Sequence, residues 1–90
     1  MTRLQAGWAR IELAAPTPFP MAGIVTGRER PATWVRDPTR VTCAAFRQGE
    51  RCVALVAMDL LVVDPGLHAE VEAIARTLGC SGVFLTASHT

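Results

Sequence analysis

The chain has 90 residues, half of them hydrophobic, with nine basic and eight acidic side chains and a formal net charge of +1. That length holds at most one small domain and buries only about 60 to 65% of its unfolded surface, so the high apolar content predicts a larger domain or an oligomer around it. The near-neutral balance excludes the charge footprint of a nucleic-acid binder and that of an acidic tail.

Residues 7–13 alternate, with Ala9, Ile11 and Leu13 toward one side and Trp8, Arg10 and Glu12 toward the other, which predicts a strand with one wetter face. In the segment 14–39, Pro16, Pro18 and Pro20 force extended backbone, while Gly23 and Gly27 permit tight turns. Connections longer than about 12 to 15 residues are commonly functional in compact domains. The apolar run Phe19-Pro20-Met21-Ala22-Gly23-Ile24-Val25 predicts that this one packs over a site. Residues 41–47 and 51–61 read as two antiparallel strands joined by Gln48-Gly49-Glu50. The second strand is apolar on both faces over residues 52–58, the pattern of a central strand covered on each side, and Asp59 interrupts it near its carboxyl end.

Asp64-Pro65-Gly66 is a helix start, with Asp64 as the cap that accepts from free backbone N–H groups and Pro65 at a position where no N–H is missed. Leu67, Val71, Ile74, Ala75 and Leu78 recur at 3.6-residue spacing on one face, opposite Glu70, Glu72 and Arg76, and Gly79 supplies a left-handed stop. A last strand, residues 83–87, delivers Ser88-His89-Thr90.

The order of elements predicts an α/β fold: an antiparallel hairpin leading into a right-handed βαβ unit, an incomplete part of a larger mixed-sheet domain. Parallel strands on either side of the helix bring Asp59 and His89 to the same end of the sheet, where α/β proteins commonly hold ligands. Neighbouring strands lie about 5 Å apart, so the Asp59 carboxylate becomes a candidate to orient or charge-stabilise the His89 imidazole. His68, at the helix start near the same sheet end, reads as a solvated or capping side chain.

Cys43, Cys52 and Cys80 show no Cys-x-x-Cys spacing and support neither a disulfide framework nor a cysteine zinc site; they read as small buried hydrophobes. No apolar signal region follows residues 1–5, and the longest greasy stretch, 52–63, is broken by Asp59 and too short to span a bilayer. The expectation is a protein without a transmembrane segment, in the cytoplasm.

Several blocks in order carry a family resemblance. They are Gly7-Trp8-Ala9-Arg10-Ile11-Glu12-Leu13, Met21-Ala22-Gly23, Ala44-Ala45-Phe46, Val56-Ala57-Met58-Asp59-Leu60, the stretch from His68 to Val71, and Leu85-Thr86-Ala87-Ser88-His89-Thr90. Together they resemble the N-terminal segment of the neutral/alkaline, non-lysosomal ceramidase family over nearly the whole chain. The last block is the specific one, similar to that family's Leu-x-Ala-Thr-His-Thr-His-Ser-Gly-Pro motif. There are departures: Ser88 replaces Thr, Ile24-Val25 replace a Tyr-Ser pair after the loop glycine, and Ala44-Ala45 stand where the family has Ala-Arg-Ala.

The resemblance implies that residues 1–90 are the N-terminal part of a ceramidase-like catalytic domain, ending inside the His-Thr-His zinc motif. It makes His89 a zinc ligand, with a further His, a Glu and a Tyr arriving from later in the family's chains. It also makes Gly23 a substrate-binding position through its main chain. The implied reaction is hydrolysis of a ceramide-like N-acyl lipid by metal-activated water, with zinc as cofactor. Asp59 is then the partner of the imidazole, and one histidine alone is expected to bind zinc poorly and hydrolyse nothing. The alternative is a non-catalytic α/β module or truncated remnant that keeps the fold without the metal.

Overall fold

A computed structural model describes residues 2–13, 31 and 33–90. Five elements follow one another: β1 (Leu4–Leu13), β2 (Thr39–Gln48), β3 (Arg51–Met58), α1 (Pro65–Thr77) and β4 (Gly82–Ala87). They form one sheet in the order β1-β2-β3-β4. β1 and β3 each pair antiparallel with β2, and β4 pairs parallel with β3 across the helical crossover. The fold is therefore α/β, an antiparallel hairpin feeding a βαβ unit, as the order of apolar runs predicts.

Local chemistry sets the boundaries. The β2–β3 hairpin closes through Gly49 and Glu50 between the paired residues Gln48 and Arg51. Gly49 has φ +62° and Glu50 does not share the positive φ, which is the type II′ turn that favours glycine at its first central position. β1 begins at Leu4, earlier than the alternation over 7–13 suggests, because its ladder runs on to pair Leu4 with Gln48. β3 ends at Met58 rather than at residue 61, and the chain leaves the ladder just after Asp59.

Asp64 caps α1 from extended backbone, its Oδ1 accepting from the Leu67 N–H at 2.8 Å. At the other end Gly79 has φ +86°, and the Gly79 and Cys80 N–H groups donate to the carbonyls of Arg76 and Ala75 at 3.1 and 2.9 Å. This is a Schellman closure. Asp64→Ala leaves the Leu67 donor without its partner and is expected to lower stability by about 1 kcal/mol in urea unfolding.

The helix packs against β4 and covers one face of the sheet. The buried residues are Cys52, Ala54 and Val56, alternate positions on the inner face of β3. The intervening Val53 and Leu55 are 39% and 47% exposed, with Trp8 at 73% and Phe84 at 62%. Among the described residues, cover on both faces of β3, expected from its unbroken apolar run, is thus found on one face only. The reason is geometric: α1 is the single helix among the described residues, and it lies on the inner side. No helix among them is long and apolar enough to cross a membrane.

Candidate functional site

The carboxyl ends of β3 and β4 lie side by side, with Met58 paired to Ala87. The ladder continues one step further, where the Ser88 N–H donates to the Met58 carbonyl at 3.0 Å. Asp59 and Ser88-His89-Thr90 therefore sit at one sheet end, as the strand order predicts.

Each of the two candidate side chains has its own partner there. The Asp59 carboxylate turns toward β2 and accepts from the Arg40 N–H through Oδ2 at 3.0 Å, while the Asp59 N–H donates to the Arg40 carbonyl at 2.9 Å. This closed pair fixes the end of the β2–β3 ladder. The His89 ring is held by the segment leaving β3: its Nδ1 lies 2.9 Å from the Leu61 carbonyl oxygen. A carbonyl oxygen can only accept, so Nδ1 carries a proton, and in the neutral ring Nε2 keeps the lone pair.

The backbone beneath the ring is equally constrained. The His89 and Thr90 N–H groups both donate to the Leu60 carbonyl, at 3.0 and 3.2 Å. His89 reaches that position with φ +68°, the left-handed region that a β-carbon disfavours by roughly 1 to 2 kcal/mol. The hydroxyls of Ser88 and Thr90 share a hydrogen bond of 2.6 Å across it. The imidazole is thus fixed at its backbone and at one ring nitrogen, and the residue is exposed.

An imidazole whose Nδ1–H is taken by a main-chain carbonyl is the usual state of a metal-ligating histidine, because the second contact sets the tautomer and the ring plane. The donor chemistry of His89 fits one coordination position for zinc. It fits only one, because no group of three or more His, Cys, Asp or Glu side chains that could hold a metal occurs among the described residues. His68 is engaged within its own helix, with Nδ1 3.6 Å from Glu72 Oε2, and Arg76 contacts the same carboxylate at 2.7 Å. Gly23 lies outside the described residues.

A cleft of about 550 Å³ opens elsewhere, between α1 and the part of the inner sheet face that the helix leaves bare. Its lining includes Cys43, Ala45, Ala54, Val71, Ile74 and Leu78, with no carboxylate or imidazole, and none of residues 59–61 or 88–90 borders it. The polar side chains on its wall are those of Gln5 and Arg47, beside the thiols of Cys43, Cys52 and Cys80, so the cleft and the strand ends are chemically distinct places. Sequence reasoning named Asp59 and His89 but missed the Leu61 carbonyl and the Arg40 N–H. Main-chain groups carry no residue signature, so nothing in the sequence marks them. Comparisons with protein families, characterised proteins and solved structures gave no match to this chain.

Proposed function

We propose that this chain contributes the first zinc ligand, His89, to a zinc-dependent amide hydrolase of the neutral ceramidase type. The observation that supports the reading most directly is the Nδ1 contact to the Leu61 carbonyl at 2.9 Å, which prepares Nε2 to bind a metal. The ordered blocks ending in Leu85-Thr86-Ala87-Ser88-His89-Thr90 supply the family, and with it a ceramide-like N-acyl lipid as substrate. The remaining ligands, a His, a Glu and a Tyr, are those that the resemblance implies from polypeptide outside residues 1–90. Bound zinc would lower the pKa of a coordinated water toward neutrality and polarise the scissile amide carbonyl.

This chain's own residues have narrower tasks. His89 presents Nε2 at the sheet end, and the Leu61 carbonyl keeps the ring in the required tautomer. Asp59 locks the end of β3 to Arg40, so that the Leu60 and Leu61 carbonyls meet His89 in a fixed place; it is a positioning residue for the imidazole. Gly23 contributes main-chain contacts to the substrate. The apolar outer sheet face receives the rest of the catalytic domain or an oligomer partner.

The test is zinc content and hydrolysis of N-acylsphingosine by the complete protein. Tightly bound zinc and release of sphingosine and fatty acid are the expected results; a protein that binds no zinc and leaves the amide intact is the non-catalytic module instead. Within that test, Asp59→Ala is expected to weaken zinc binding about 10- to 100-fold, the range typical for residues that support a ligand. Zinc affinity equal to that of the unaltered protein would remove Asp59 from the site.

A further inference from the structure

At the end of the sheet opposite His89, two thiols face the same side. Cys52 opens the inner face of β3 and is buried, and Cys80 lies between the helix stop and β4; both line the cleft beneath α1, and both are free. The Ser81 N–H and hydroxyl both contact the Cys52 carbonyl, at 2.9 and 3.3 Å, which sets residue 81 directly beside residue 52. Cys80 is one residue further on, which puts its Cα about 6 Å from that of Cys52, from the strand spacing and the rise per residue. Disulfides bridge Cα separations of about 4.4 to 6.8 Å. The Cys80 N–H, held by the Ala75 carbonyl at 2.9 Å, fixes the turn that brings this thiol under the helix.

We propose that Cys52 and Cys80 form a dithiol that a peroxide converts to an intrachain disulfide, tying the start of β3 to the connection between α1 and β4. Cys80 is the more accessible of the two and reacts first. Its thiolate sulfur attacks one peroxide oxygen and the O–O bond breaks. The departing hydroxide takes up the thiol proton as water, leaving a sulfenic acid on Cys80. The Cys52 sulfur then displaces the hydroxyl, the S–S bond forms, and a second water leaves with the Cys52 proton. Two thiols lose two electrons and one peroxide is reduced to two waters.

The surroundings set the pace. The hydrogen bond to Cys52, followed by burial, pushes the Cys80 thiol above its ordinary pKa, with Cys43 adding to the rise and the Arg47 guanidinium opposing it. Arg76 of α1, which borders the hollow beside Cys80, is already paired with Glu72. The thiolate is therefore scarce at neutral pH, and the reaction quickens about tenfold per pH unit until the pKa is passed.

The experiment exposes the 90-residue chain to hydrogen peroxide in buffer and in urea, alkylates the remaining thiols, and maps tryptic peptides by mass spectrometry. The expected product joins residues 52–76 to 77–90 with the loss of two hydrogen atoms, leaves Cys43 in 41–47 alkylated, and in buffer exceeds the disulfides that contain Cys43 by at least about tenfold, a preference that urea removes. The Cys43→Ser chain should give the same product at the same rate. The same mixture of pairings in the two media, a pairing of Cys43 in buffer as abundant as that of Cys52 with Cys80, or overoxidised Cys80 beside alkylated Cys52 would each overturn the proposal.

Discussion

His89→Asn in the complete protein is expected to cut amide hydrolysis by more than about 100-fold and to lower zinc occupancy in parallel, beyond what loss of a supporting residue costs. Asparagine is the informative replacement because the position has φ +68°, a conformation that asparagine tolerates better than most side chains. The turn that places the His89 and Thr90 N–H groups on the Leu60 carbonyl is then retained, and only the imidazole is lost. Zinc per protein, measured by metal analysis after dialysis, separates this outcome from simple unfolding when thermal melting is followed beside it. A variant that melts normally, keeps its zinc and hydrolyses the amide would show that His89 ligates nothing.

Leu55→Asp combined with Phe84→Asp is expected to act in opposite ways in two settings. The two residues are paired across β3 and β4 on the outer face, where they are 47% and 62% exposed. In the 90-residue chain the carboxylates meet water, and unfolding should shift by about 2 kcal/mol, the span of strand propensities at two positions, with a few tenths more from the opposed like charges. Where a further layer covers that face, the same change removes two apolar contacts of about 1 kcal/mol or more each and buries two charges without partners, a loss on the order of 5 kcal/mol. That equals the whole stability of many domains. The complete protein should therefore fail to fold or assemble, as read by circular dichroism and sedimentation velocity. Indifference in both settings would mean that nothing covers this face.

Much of the fold is legible in the sequence because its signals are local. The glycine turn at Gly49, the Asp64-Pro65 start and the Gly79 stop each depend on one or two residues whose backbone preferences or capping atoms act within a single turn of chain. Parallel pairing of β3 with β4 follows once a helix is placed between them, since only a crossover can join parallel strands. The burial of β3 was less legible. Residues 52–58 are apolar at every position, and a run of that kind says that both faces can be covered, while only the arrangement of other elements says whether they are. Here α1 covers Cys52, Ala54 and Val56 and leaves Val53 and Leu55 open.

The site divides along the same line. The sequence by itself determined which chemical groups reach the sheet end, because the lengths of β3, α1 and β4 fix where Asp59 and His89 emerge. Only the tertiary structure decided what each group touches. Asp59 turned to the Arg40 N–H and the His89 ring to the Leu61 carbonyl, contacts that depend on χ angles and on main-chain atoms every residue shares. The proximity of Cys52 and Cys80 was set in the same way: their separation of 28 positions in the chain becomes about 6 Å when Ser81 docks on the Cys52 carbonyl. Residue type dictates what a side chain can do, and the closing of the ladder dictates to whom.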